Sequence, residues 1–184
     1  MKDNGRAVSR GGGPSFLGWP RCGAPLIQTG MTDSATHSAA RTILASPRAI
    51  YRAFLDPETV TSWRPPKGMT AKIFHFDLRP GGGYRIAFIY DDAEARQGKS
   101  SADADTFEGR FVELVPEEKI VEAITFESDD PAFGGTMTIT TRLTPVRDGT
   151  KVTFVAENVP PGISSADHKT GMESTLKNLA NLLE

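Results

Sequence analysis

Arg79-Pro80-Gly81-Gly82-Gly83-Tyr84 separates two apolar, alternating segments, Lys72 to Leu78 and Tyr84 to Tyr90. Three consecutive glycines select backbone freedom rather than side-chain chemistry, and between two such runs they predict a β-hairpin. Upstream, Asp56-Pro57 opens a short helix that carries Val60 and Trp63 on one face and is stopped by Pro65-Pro66. Before it, Ser46-Pro47 is an N-cap followed by proline at the first helical position, and Ile50, Ala53 and Phe54 give the helix to about Leu55 one apolar face. Ala39 to Ala45 reads as a first strand ahead of this helix pair.

Downstream of the hairpin the pattern is strand after strand: Phe107 to Val115, Ile120 to Glu127, Gly135 to Leu143 and Thr150 to Glu157. With the first strand and the hairpin the expectation is seven strands. Ser128-Asp129-Asp130-Pro131 and Arg147-Asp148-Gly149 read as turns, and the small, polar stretch from Asp91 to Asp105 as a flexible loop. Strands joined by turns without helical crossovers imply an antiparallel sheet. After Pro160-Pro161-Gly162, a helix beginning near Ser164 or Ser165 carries Met172, Leu176, Leu179 and Leu183 at helical spacing. The fold class is therefore α+β.

The chain has 184 residues, 38% hydrophobic and 24% charged, an ordinary composition for one globular domain with a buried core. Residues 1–30 hold seven glycines and three prolines with no hydrophobic period, so residues 1–35 are expected to be a disordered or extended tail and 36–184 the folded domain. Met31 followed by Thr32-Asp33-Ser34 resembles a natural start, and the tail is read as an extension ahead of it. Lys2, Arg6, Arg10 and Arg21 against Asp3 give the first thirty residues +3, leaving about −5 of the formal −2 on the remainder. An acidic body without a basic face disfavours nucleic acid and anionic membrane. The lone Cys22 permits no internal disulfide and no cysteine metal site, which fits a reducing cytoplasm. No apolar run is long enough for a signal peptide or a transmembrane segment.

These blocks carry a resemblance. Ser46-Pro47 with Ile50 and Ala53-Phe54, Pro57 to Trp63, Asp77-Leu78-Arg79-Pro80-Gly81-Gly82, Gly109 with Glu113-Leu114 and Pro116, Gly149-Thr150, and Gly171 with Leu176 and Leu179 follow in order. From Ala39 to Glu184 the sequence resembles the activator-of-heat-shock-chaperone-ATPase homologue (AHSA-type) family of the START-like, SRPBCC, polyketide-cyclase-like superfamily. The resemblance implies a helix-grip fold, a curved antiparallel sheet wrapped around the C-terminal helix with a cavity between them. The eponymous co-chaperones carry a further N-terminal domain that is not read in this sequence, so chaperone activation is not expected. Where the family often has Gly-Trp in the last helix this chain has Gly171-Met172, a softer side chain that would reshape the pocket.

Period two assigns the inward faces. Phe74 and Phe76, then Tyr84, Ile86, Phe88 and Tyr90, then Phe107 and Phe111, then Met137 and Ile139, and Val152 and Phe154 form one set, which either packs as core or lines a void. Met172 and Leu176 face them from the last helix. His168, four residues before Met172, falls on the same stripe and reads either as a rim histidine or as an acid, base or hydrogen-bond partner for a ligand. Glu113, in phase with Phe107 and Phe111, reads either as a solvated or paired strand-end carboxylate or as a buried one. Trp63 reads as a plug fixing the helix pair to the sheet in preference to a lid over the cavity. His75 falls on the outer face, and Asp77 and Arg79 read as structural caps of the glycine turn.

Gly81-Gly82-Gly83 lacks the following Lys-Ser/Thr and helix of a phosphate loop, and neither an HExxH nor a Gly-x-Ser-x-Gly elbow is present. No metal or cofactor is expected. The expected function is binding of a small, largely apolar or aromatic molecule between sheet and last helix. The alternatives are a cyclase or dehydratase-like enzyme using His168 with Glu113 or Tyr84, and a protein-interaction or stress-response adaptor with a filled interior and an exposed apolar patch. A homodimer is compatible with all three.

Overall fold

A computed structural model of the protein describes residues 35–92 and 98–184. The readings of the Gly/Pro-rich tail and of a start at Met31 fall on residues outside the described ones. The described chain runs β1 (Ala35–Ile43), α1 (Pro47–Leu55), α2 (Pro57–Trp63), β2 (Met69–Phe76), β3 (Gly83–Tyr90), β4 (Ala104–Val115), β5 (Lys119–Phe126), a 3-10 turn (Pro131–Phe133), β6 (Met137–Val146), β7 (Gly149–Val159) and α3 (Ser165–Leu183).

The seven strands form one curved antiparallel sheet in the order β1-β7-β6-β5-β4-β3-β2. Every neighbour except β1·β7 is a sequential hairpin. Strands β1 and β2, adjacent in the chain, therefore lie at opposite edges, and α1 and α2 carry the backbone between them. This is the α+β helix-grip architecture.

Capping fixes where each helix starts. The Ser46 hydroxyl accepts a hydrogen bond from the Ala49 amide at 3.2 Å, the Asp56 carboxylate one from Glu58 N–H at 3.2 Å, and Ser164 one from Asp167 N–H at 3.1 Å. Ile50, Ala53, Phe54, Val60 and Trp63 are buried, as the apolar spacing predicts. On α3 the buried face is Met172, Thr175, Leu176, Leu179 and Ala180.

The glycine turn is tied to the next strand: Gly81 N–H donates to Phe111 C=O and Phe111 N–H to Gly82 C=O, each at 2.9 Å. Gly81 has φ +80°, which β-carbon-bearing residues rarely adopt. Asp77 accepts from Arg79 Nε at 2.8 Å rather than capping the turn's amides.

Two β-bulges change the predicted phase. Between Ile73 and His75 the pairing slips against β3, so Ile73 and Phe76 both turn inward and Phe74 turns out. Between Phe111 and Glu113 the same happens against β5, and Leu114 takes the inward place expected for Glu113. Strand β4 begins at Ala104, three residues before the expected start, and brings Asp105 into the sheet from what reads as loop. Among the described residues no helix is long and apolar enough to cross a membrane.

Candidate functional site

Arg64 terminates α2 directly after Trp63, and three hydrogen bonds staple its segment to α3. Thr175 Oγ1 donates to Arg64 C=O at 3.0 Å, Asn178 Nδ2 to Pro65 C=O at 2.8 Å, and Lys67 N–H to Ser174 Oγ at 2.8 Å. Pro65 and Pro66 cannot continue the helix, so the chain turns here and the Arg64 side chain enters the interior. Trp63 is the plug of the helix pair: it is buried, its Nε1 donates to Ala53 C=O at 3.0 Å, and its ring meets Phe54 edge-on at 4.6 Å.

Arg64 meets Tyr84 from β3 and Glu122 from β5. Its Nη2 donates to the Tyr84 hydroxyl at 2.7 Å and to Glu122 Oε1 at 2.8 Å, and Tyr84 O–H donates to the same Oε1 at 2.7 Å. Glu122 is 2% exposed and Arg64 9%. Burial disfavours the charge on Arg64, but Glu122 and Tyr84 outweigh it and hold the guanidinium's pKa above its ordinary value. Burial pushes the Tyr84 phenol well above its usual range, Arg64 opposes this and Glu122 adds to it. The group is a neutralised, buried ion pair with a protonated phenol bridging it.

Between the concave sheet and the N-terminal half of α3 lies a cavity of about 880 Å³. Its apolar wall includes Trp63, Phe88, Phe107, Phe126 and Phe154, with Met137 from β6 and Met172 from α3. One turn further along α3, Leu176 is fully packed in the core and does not line the space. Arg64 and Glu122 line the cavity together with Thr141 of β6. Thr141 pairs with Ile120 and Glu122 with Ile139, which makes Thr141 and Glu122 diagonal neighbours on one sheet face.

A second polar group stands on the same wall. The Asp105 carboxylate, 4% exposed, accepts from Lys99 N–H at 2.6 Å and pairs with Lys99 Nζ. Burial, reinforced by Asp105, pushes the Tyr90 phenol up to about 12. His168 projects from the first turn of α3, with its Nδ1 2.9 Å from Nδ1 of His37 on β1. Burial first, then His37 and Lys99, lower its pKa from 6.5 to about 4. His168 is therefore neutral at pH 7. Among the described residues no group of three or more His, Cys, Asp or Glu is placed to hold a metal ion.

Of the residues singled out in the sequence, Trp63, Phe88, Tyr90, Phe107, Met137, Ile139, Phe154, His168 and Met172 line the cavity. Phe76, Tyr84 and Phe111 instead form a packed aromatic cluster, with ring centroids 5.4 to 5.9 Å apart. Leu176 belongs to the core. Phe74 and Glu113 are corrections. Phe74 is 48% exposed on the outer face, with the Arg85 guanidinium 4.5 Å from its ring centre. Glu113 sits at the surface and pairs with Lys119 at 2.8 Å. Each stands one residue along its strand from a phase that a bulge reset.

Four polar residues of the cavity, Arg64, Glu122, Asp105 and Thr141, are missing from the sequence-derived set. Glu122 and Asp105 are legible as acids in phase with apolar neighbours, Glu122 between Ile120 and Ile124 and Asp105 two before Phe107. Thr141 stands in the same kind of phase, between Ile139 and Leu143, and Arg64 carries no such signal.

Solved structures share this architecture. Protein CV1439 from Chromobacterium violaceum is 35% identical with a TM-score of 0.71, over 81% of this chain and 96% of that one. The Mll3558 protein from Rhizobium loti is 28% identical with a TM-score of 0.61, over 82% and 97%. Protein NE0264 from Nitrosomonas europaea, 22% identical with a TM-score of 0.58 over 80% and 92%, shares the fold. No curated protein matches the chain. The family model described as Activator of Hsp90 ATPase homolog 1-like protein matches residues 44–184. With the helix-grip sheet, the capped helix pair and the cavity over α3 in place, the chain belongs to the Activator of Hsp90 ATPase homolog 1-like family.

Proposed function

We propose that this protein binds a small, largely apolar organic molecule in the cavity between the sheet and α3. The observation that carries the reading is the cavity itself, about 880 Å³ with aromatic and methionine walls and a few convergent polar groups. That size and lining are usual for small-molecule sites. An interaction adaptor would have its interior filled, and this space argues against that alternative.

A cyclase or dehydratase-like activity in the same cavity is the second reading, and His168 favours it. It places an imidazole on the cavity wall, where it can hydrogen-bond a bound molecule. Glu113 takes no part in that chemistry from the outer surface.

The test is native mass spectrometry of protein purified gently from its own host. A co-purified small organic molecule that is released on denaturation is expected. Its recovery unchanged after incubation favours binding, and its conversion favours the enzyme.

A further inference from the structure

Two polar atoms of the cavity's ion-pair end have no hydrogen-bond partner among the described residues: Nη1 of Arg64 and Oγ1 of Thr141. Both residues line the cavity, Arg64 91% buried by its 9% exposure and Thr141 wholly buried. The guanidinium commits Nη2 twice, to Tyr84 and to Glu122, and leaves the N–H groups of Nη1 over. An unpaired buried donor is costly, more so on a charged group, and natural interiors rarely keep one without a use. Thr141 adds a hydroxyl on the adjoining strand, diagonal to Glu122.

Charge decides which ligand group suits these donors. Glu122 already neutralises Arg64 at 2.8 Å. A ligand carboxylate would add a second negative charge beside Glu122, away from water, and would carry its own desolvation cost. A neutral acceptor leaves the pair balanced while completing Nη1 and Oγ1.

Resting on the proposed binding function, we infer that the ligand carries a neutral carbonyl-type acceptor, a ketone, amide or lactone oxygen, at its buried end, received by Arg64 Nη1 and Thr141 Oγ1. The rest of the molecule lies against the aromatic wall. Neither donor atom is reached by solvent in this conformation, so binding goes with a small turn of the two side chains toward the cavity.

The experiment is calorimetric titration of the full chain with three probes of one shape: 2-acetylnaphthalene, 2-isopropenylnaphthalene and 2-naphthoate. The ketone is expected to bind about tenfold more tightly than the alkene, and the carboxylate more weakly than the ketone, for one to two good hydrogen bonds. Thr141→Val, close in shape, should reduce the ketone's advantage over the alkene about threefold or more. Equal binding of ketone and alkene, with Thr141→Val silent, would overturn the acceptor subsite while leaving the apolar cavity standing, internal water then serving the two donors. Tightest binding of 2-naphthoate would overturn the neutral class. Binding of none of the three up to millimolar concentration would overturn the cavity function itself.

Discussion

Gly109 lies directly beneath the ring of Tyr84, its cross-strand partner: a β-carbon there would fall 2.0 Å from Tyr84 Cζ and 2.3 Å from its hydroxyl oxygen. The absence of a side chain at 109 is what lets the phenol lie flat across β4 and reach Glu122 on β5. Gly109→Ala forces the ring off this position and separates the hydroxyl from the ion pair. A loss of about 1–3 kcal/mol is expected, as for overpacking of a filled interior. The midpoint of urea unfolding measures it, and a wild-type midpoint would mean that Tyr84 is not held by this contact.

Arg64 and Glu122 stabilise as a unit. Glu122→Leu leaves the guanidinium charged and unpaired in the interior, and about 3–5 kcal/mol of stability should be lost. Arg64→Met combined with Glu122→Leu removes both charges and should cost less than Glu122→Leu alone. Strict additivity of the two single losses in a double-mutant cycle would show that the pair is not coupled.

The acid side of the stability curve should carry a contribution from His168. Its folded-state pKa is lowered from 6.5 to about 4, so the unfolded chain binds more protons between those values. Stability is free of this penalty above about pH 6.5 and falls as the pH drops toward 4. His37 and Lys99 add to the effect of burial and act in the same direction. His168→Gln should shrink the loss of melting temperature between pH 7 and pH 5. The same loss in variant and wild type would place the acid sensitivity in other groups.

Much of this architecture is legible in the sequence because its signals are local. Ser46-Pro47 and Asp56-Pro57 cap helices wherever the chain goes, and Arg79-Pro80-Gly81-Gly82-Gly83 joins whichever strands flank it. The inward faces are less secure, since period two holds only while pairing is regular. The bulges at Ile73/His75 and Phe111/Glu113 belong to the bending of the sheet, and they exchange Phe74 for Ile73 and Glu113 for Leu114. The polar end of the cavity is the least legible part. Arg64 and Glu122 stand 58 residues apart, and their meeting depends on α2 ending where Thr175 and Asn178 hold it. His37 escapes notice because β1 starts at Ala35, ahead of the apolar stretch from Ala39 that announces the strand.

Whether the space over α3 holds a guest is tested most directly by fluorescence titration with N-phenyl-1-naphthylamine, a neutral apolar probe. Wild-type protein should bind it at one saturable site. Met172→Trp, which places a bulky ring in the cavity from α3, should weaken binding about tenfold or more, while Leu182→Trp, on the 43% exposed Leu182, should leave it unchanged. Equal affinity in all three proteins, or no saturable binding in the wild type, would contradict the account.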